Sequence, residues 1–198
     1  MKRIILASAS PRRKELLEQL IGPQFDVCIS SYGEDTGQGM CPSELVMHHS
    51  QEKAHDVART VCQGIIISAD TVIVCLDEVL GKPGDAKHAK QMLQKISGQR
   101  ITAITGITVM DAGSRKQLSA HELTDVWIRE LSDRLIDDYV NTGEPVGKAG
   151  SFAIQGIGAI LVKRIEGDYF NIVGLPLFRL SVMLEAFDVC IPQAIPQA

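Results

Sequence analysis

Residues 64–76 read GIIISADTVIVCL, and their interpretation decides the fold. The run is β-branched through Ile65, Ile66, Ile67, Val72, Ile73 and Val74 and lacks helical periodicity, so it predicts a central strand. Asp70 stands in its middle. A carboxylate in such a run is costly if buried without a partner, so it must be hydrogen-bonded, bound to a metal or placed where the strand opens to a cleft. An aspartate that satisfies the amides of a turn or bulge is the plainer alternative.

Upstream of this strand, Ser43 predicts the cap of a helix running to about Thr60. Val46, Ser50, Lys53 and Val57 fall on one of its faces by steps of three and four, so Lys53 shares a face with valines. By itself such a lysine snorkels to solvent. Residues 31–44, SYGEDTGQGMCPSE, form a polar loop that holds Glu34, and residues 26–30, DVCIS, read as a strand. At the start of the chain Ile4, Ile5 and Leu6 predict a short buried strand, and Ser10 followed by Pro11 opens a helix. Arg12, Arg13 and Lys14 crowd the first turn of that helix, where the dipole disfavours cations unless an anion is near. Free backbone N–H groups and two guanidinium forks would suit a phosphate. A solvated charged turn, with Arg12–Glu15 and Lys14–Glu18 as surface pairs, is the alternative.

Downstream, Lys82 sits between Gly81 and Pro83, a held backbone that presents an ammonium. Residues 86–98, AKHAKQMLQKISG, predict a helix with Ala89, Met92, Leu93 and Ile96 inward. Residues 100–110 and 121–131 read as two strands joined by the polar turn DAGSRKQ, and Ser132 caps a further helix ending near Gly143. From residue 143 to 176 short strands are expected to alternate with glycine turns, before a closing helix over Leu177 to Phe187. The order of elements is mixed α/β without an internal repeat.

With 198 residues, 45% of them hydrophobic, the chain can bury a full core as one domain over residues 1–190, with or without a small lobe. Residues 191–198, IPQAIPQA, read as a disordered tail. A net charge of −4 with scattered cations argues against nucleic acid and anionic membrane as general partners. Five separated cysteines, with no C-x-x-C pair, signal neither zinc nor a disulfide framework, so buried reduced thiols are expected. The N-terminal apolar run is too short for a signal peptide or a membrane span, which places the protein in the cytoplasm. Gly156 and Gly158 lack the third glycine of a dinucleotide fingerprint, and His48, His49 and His55 are expected to decorate a helix surface.

The set LASASPRR, Lys53, ADTVI, GKP, LQKISGQ, GEPVGKAGSFAIQG and EGDYFNIVGLP closely resembles the Maf family of nucleotide pyrophosphatases, from about Ile4 to Phe187. The resemblance implies hydrolysis of a nucleoside triphosphate at the α–β bond with a divalent metal, Mg²⁺ or Mn²⁺. It implies an elongated mixed β-sheet flanked by helices, with a cleft between two lobes, related to the inosine triphosphate pyrophosphatases, and a homodimer. Asp70 then matches the catalytic aspartate, Lys53 and Lys82 would neutralise charge on the pyrophosphate, and Ser10, Arg12 and Arg13 would hold phosphate oxygens. Glu34 would join Asp70 as a second carboxylate for the metal. Arg12, Thr71 and Gln155 match the subgroup acting on dTTP and UTP, where those acting on 7-methyl-GTP carry Trp, Gln and Glu. A carboxamide at Gln155 suits the O4/N3–H edge shared by uracil and thymine. The chain departs from the family pattern at Ile101, Gly33, Gly147 and Phe170. Two other readings are a 7-methyl-GTP or broad-specificity house-cleaning pyrophosphatase and a nucleotide-binding regulator of septum formation.

Overall fold

β1 (Ile4–Leu6) lies between β2 (Asp26–Val27) and β3 (Ile65–Cys75), parallel to both, with Ile5 opposite Asp26 and Ile66. Parallel neighbours need crossovers, which α1 (Pro11–Ile21) and α2 (Pro42–Val57) supply. In this computed structural model, residues 2–34, 37 and 39–191 are described, so most of the expected tail lies outside them. β4 (Glu78–Leu80) turns back antiparallel on β3, and α3 (Ala86–Ile96) follows it. Long strands β5 (Arg100–Asp111) and β6 (Gln117–Ile128) come next, then α4 (Asp133–Asn141), β7 (Val162–Glu166), α5 (Tyr169–Val173) and α6 (Leu177–Glu185). The result is a mixed α/β fold on a seven-stranded sheet in the order β2-β1-β3-β5-β6-β7, with β4 beside β3.

The chain divides into two compact units, one of residues 1–70, 105–122 and 174–198, the other of residues 71–104 and 123–173. In the first, Ile5, Ala7, Ala54, Val57, Ile66 and Met110 form a core beneath α2. In the second, Ile73, Leu93, Ile96, Ile101, Val126, Ile136 and Tyr139 pack together, so α3 and α4 bury the faces their periodicity gives them. The EGDYFN segment is tied into this second unit by Asn171, whose amide donates to Ala103 O at 3.0 Å and Thr124 Oγ1 at 2.9 Å.

Three expectations require correction. The cap of α2 is Cys41, not Ser43, because Pro42 takes the first helical position and the Cys41 N–H donates to Glu44 Oε2 at 2.9 Å. Residues 143–176 hold one strand, β7, rather than several; 3₁₀ turns at Ala149–Ser151 and Gly156–Leu161, together with α5, replace the others. Glu144 explains the second of these turns, since it accepts from Ile157 N at 3.0 Å, Gly158 N at 2.8 Å and Tyr139 OH at 2.9 Å. Burial would raise its carboxyl, but those bonds hold it below the usual carboxylate range. Among the thiols only Cys75 is buried; Cys41, Cys62 and Cys190 are exposed.

The β3–β4 hairpin turns through Leu76 at φ 50° and Asp77 at φ 62°. Two left-handed residues in a two-residue turn favour Asn-Gly, and leucine is poorly suited there. Leu76→Asn combined with Asp77→Gly is expected to stabilise the protein by about 1 kcal/mol, a rise of about 2–4 °C in Tm by calorimetry.

Candidate active site

Ser68 and Asp70 lie two residues apart on β3 and so share a face, and both meet α2. Ser68 Oγ donates to Ser50 O at 2.6 Å, and Lys53 Nζ donates to Asp70 Oδ1 at 2.6 Å. Small side chains let helix and strand approach this closely. Ser50 Oγ also meets Met47 O and Thr108 Oγ1, each at 2.8 Å, so the hydroxyls in the contact are satisfied.

Lys53 does not snorkel. Its side chain is 12% exposed and its ammonium holds two carboxylates, Asp70 and, at 2.7 Å, Glu34 Oε1. The Asp70 side chain is 8% exposed, so the buried carboxylate is satisfied by an ammonium rather than by turn amides. Glu34, more exposed, reaches the same nitrogen from the loop after β2.

α1 begins at Pro11 with Ser10 as its cap, the hydroxyl accepting from Arg13 N at 3.4 Å. Arg13 Nε donates to Gly174 O at 2.8 Å, and its NH1 reaches Ser8 Oγ at 3.4 Å. Burial lowers the Arg13 pKa; the carboxylates of Asp70 and Glu34 oppose that shift and Arg12 reinforces it. Arg12 is half-buried in the same turn. The first unit thus brings Arg13, Glu34, Lys53 and Asp70 into one electrostatic cluster, with Ser10 and Arg12 on the helix start that carries Arg13.

The remaining candidates belong to the second unit. Thr71 follows Asp70 along β3 and is half-buried. Lys82 is exposed, on a loop anchored by Gly150 N donating to Gly81 O at 3.0 Å. Gln155 is half-buried immediately before the 3₁₀ turn that Glu144 holds. Of the family departures, Ile101 is buried in the second core, where an apolar side chain fits, and Gly147 has φ 73°, a conformation that suits glycine.

Sequence reading missed several participants. Ser8 and Gly174 orient Arg13, Tyr32 bonds His49, and Gly106 meets the backbone of α2. His49 is 3% exposed, so it does not decorate the helix surface. The available signal was the isolated glycine within RITAITGITVM, which marks close backbone approach.

Glu34 and Asp70 offer carboxylate oxygens, and Mg²⁺ is commonly held by one or two carboxylates with substrate phosphates and water. Among the described residues no group of three or more His, Cys, Asp or Glu could hold an ion. No described helix is long and apolar enough to cross a membrane.

A family model described as Maf-like protein matches residues 3–187. A dTTP/UTP pyrophosphatase of Methanococcoides burtonii is 55% identical over 191 residues, covering 96% of this chain and 98% of that protein. Another, from Methanosarcina mazei, is 54% identical over 191 residues, covering 96% and 97%. A third, from Ruminiclostridium cellulolyticum, is 48% identical over 189 residues, covering 95% and 97%. A HAM1 protein from Coxiella burnetii, at TM-score 0.47 and 15% identity over 65% of this chain and 73% of that one, is too slight a likeness to bear on either fold or function. The family model spans nearly the whole chain, including every residue of the cluster around Lys53, and the chain belongs to the Maf family.

Proposed function

We propose that this protein is a nucleoside triphosphate pyrophosphatase that hydrolyses dTTP and UTP with water to the monophosphate and pyrophosphate. The observation that carries the reading is the pair of carboxylates, Asp70 and Glu34, on the buried Lys53 ammonium beside the cationic start of α1. Its substrate preference follows the names of relatives at about half identity or more.

A triphosphate brings negative charge to a cluster that already contains an ammonium and a guanidinium. Lys53 can exchange a carboxylate for a phosphate oxygen, which leaves Asp70 able to accept the proton of the attacking water. Arg12, Arg13 and Ser10 bind phosphate oxygens at the helix start, where backbone dipoles add to the attraction. Lys82 neutralises charge gathering on the leaving pyrophosphate, and Thr71 and Gln155 select the base, by the resemblance of the segments that hold them. Glu34 and Asp70 would hold Mg²⁺ or Mn²⁺, which when bound offsets phosphate charge and lowers the pKa of bound water. The same reading makes the enzyme a cytoplasmic homodimer; sedimentation of the purified chain tests the second of these.

Product analysis tests the function. With Mn²⁺ or Mg²⁺ and dTTP, UTP, CTP, ATP or 7-methyl-GTP, pyrophosphate rather than orthophosphate is expected, with kcat/KM at least about tenfold higher for dTTP and UTP. Orthophosphate release would overturn the bond assignment. A preference for 7-methyl-GTP would overturn the base assignment.

A further inference from the structure

The loop that carries Glu34 is fastened along α2. Side chains of the loop reach the helix: Ser30 Oγ donates to Asp56 Oδ2 at 2.9 Å, Tyr32 OH meets His49 Nδ1 at 3.1 Å, and Glu34 accepts from Lys53. Ser31 adds its N–H at 2.7 Å and its hydroxyl at 3.0 Å, both to Asp56 Oδ2. His49, Lys53 and Asp56 follow at steps of four and three, so one helical face receives the whole segment.

Asp56 stands in the last turn of α2, where the helix dipole disfavours a carboxylate. The bonds from Ser30 and Ser31 offset that cost and hold its carboxyl below the usual range, against a smaller opposing effect of burial. His49 is buried, and its ring stands 5.8 Å from that of Tyr32, with His48 edge-on to Tyr32 at 6.4 Å. Two attachments therefore lie on the loop within four residues before Glu34, and they anchor a carboxylate whose own side chain is 41% exposed.

We propose that Asp56 and His49, through Ser30, Ser31 and Tyr32, are positioning residues that hold Glu34 beside Asp70 on the shared Lys53 ammonium. The inference rests on the reading of Glu34 as a functional carboxylate. Without the fastening, Glu34 has more conformations to lose when it meets a cation, and the cost falls on cation affinity rather than on the chemical step.

The test uses Tyr32→Phe, which removes one hydroxyl, and Asp56→Ala, each alone and combined with Glu34→Gln. Amide hydrogen exchange over residues 29–34 is expected to quicken in both single variants. The Mn²⁺ concentration giving half-maximal dTTP turnover should rise about tenfold, with most of kcat recovered at saturating Mn²⁺. Combining either variant with Glu34→Gln should add no further loss, because both act on the same group. Fully additive losses, or faster exchange with an unchanged Mn²⁺ requirement, would overturn the positioning role. Wild-type turnover in Glu34→Gln alone would instead overturn the reading of Glu34 on which the proposal stands. Should Asp56→Ala fail to fold, Tyr32→Phe decides the matter.

Discussion

Asp70→Asn is expected to lower kcat about a thousandfold while the protein stays folded, because the change removes the carboxylate proposed to take the proton of water but keeps a similar shape and a hydrogen-bond acceptor. The fold can absorb the substitution because Lys53 has a second partner. Glu34 Oε1 lies 2.7 Å from its ammonium, so losing the Asp70 charge does not leave a buried cation alone. An asparagine oxygen can still accept from Lys53, and the stability loss should stay below about 2 kcal/mol. Asp70→Leu separates the two effects. It deprives Lys53 of its acceptor on β3 while Glu34 stays on the ammonium, and a loss of about 3 kcal/mol, the upper end for a buried donor left short of an acceptor, is expected. Steady-state kinetics with dTTP beside thermal unfolding checks both variants. An Asp70→Asn enzyme within tenfold of the wild-type kcat, or one that unfolds as readily as Asp70→Leu, would contradict this account.

The strand that carries Asp70 was legible in the sequence because β-branched burial is a local property, and β3 spans Ile65–Cys75 as expected. The caps at Ser10 and Ser132 were legible for the same reason: hydroxyl, helix start and apolar spacing lie within a few residues. The start of α2 misled because serine is the stronger cap residue by type, whereas Pro42 at the first position and Glu44 three beyond Cys41 decided the geometry. Residues 143–176 misled for a tertiary reason. Their β-branched residues suggest strands, but Glu144 gathers the amides of Ile157 and Gly158 into a turn.

At the site, composition alone exposed two oddities, a carboxylate in an apolar strand and a lysine on an apolar helix face. That each answers the other depends on how α2 lies against β3, which no local pattern specifies. The bond between Tyr32 and His49 was hidden likewise, since a histidine pair on a helix gives no sign of which member is buried. Arg13 shows the reverse. Its charge was conspicuous, yet its orientation is set by Gly174 O, far along the chain.

Gly106→Ala is expected to damage both stability and catalysis, and it tests the docking of α2 most directly. A Cβ at this buried position would run into the Val46 carbonyl and come within 2.6 Å of Met47 N, both backbone groups of α2. Backbone cannot swing aside as a side chain can, so relief requires moving the helix away from β5. Overpacking of this kind costs about 3 kcal/mol, at the upper end of its usual range. For a chain of this size that corresponds to a fall of about 6–12 °C in Tm. The helix carries Lys53, so its displacement also draws the ammonium away from Asp70. A misplacement of about 1 Å is enough to reduce turnover about a hundredfold. Gly113→Ala is the control, because a Cβ there meets only Asp111 Oδ1 at 3.4 Å and Cys62 O at 3.6 Å, ordinary contacts. A Gly106→Ala protein with the Tm and kcat of the Gly113→Ala control would mean that α2 can stand off the sheet without cost, and that the small residues of this contact do not set the position of Lys53.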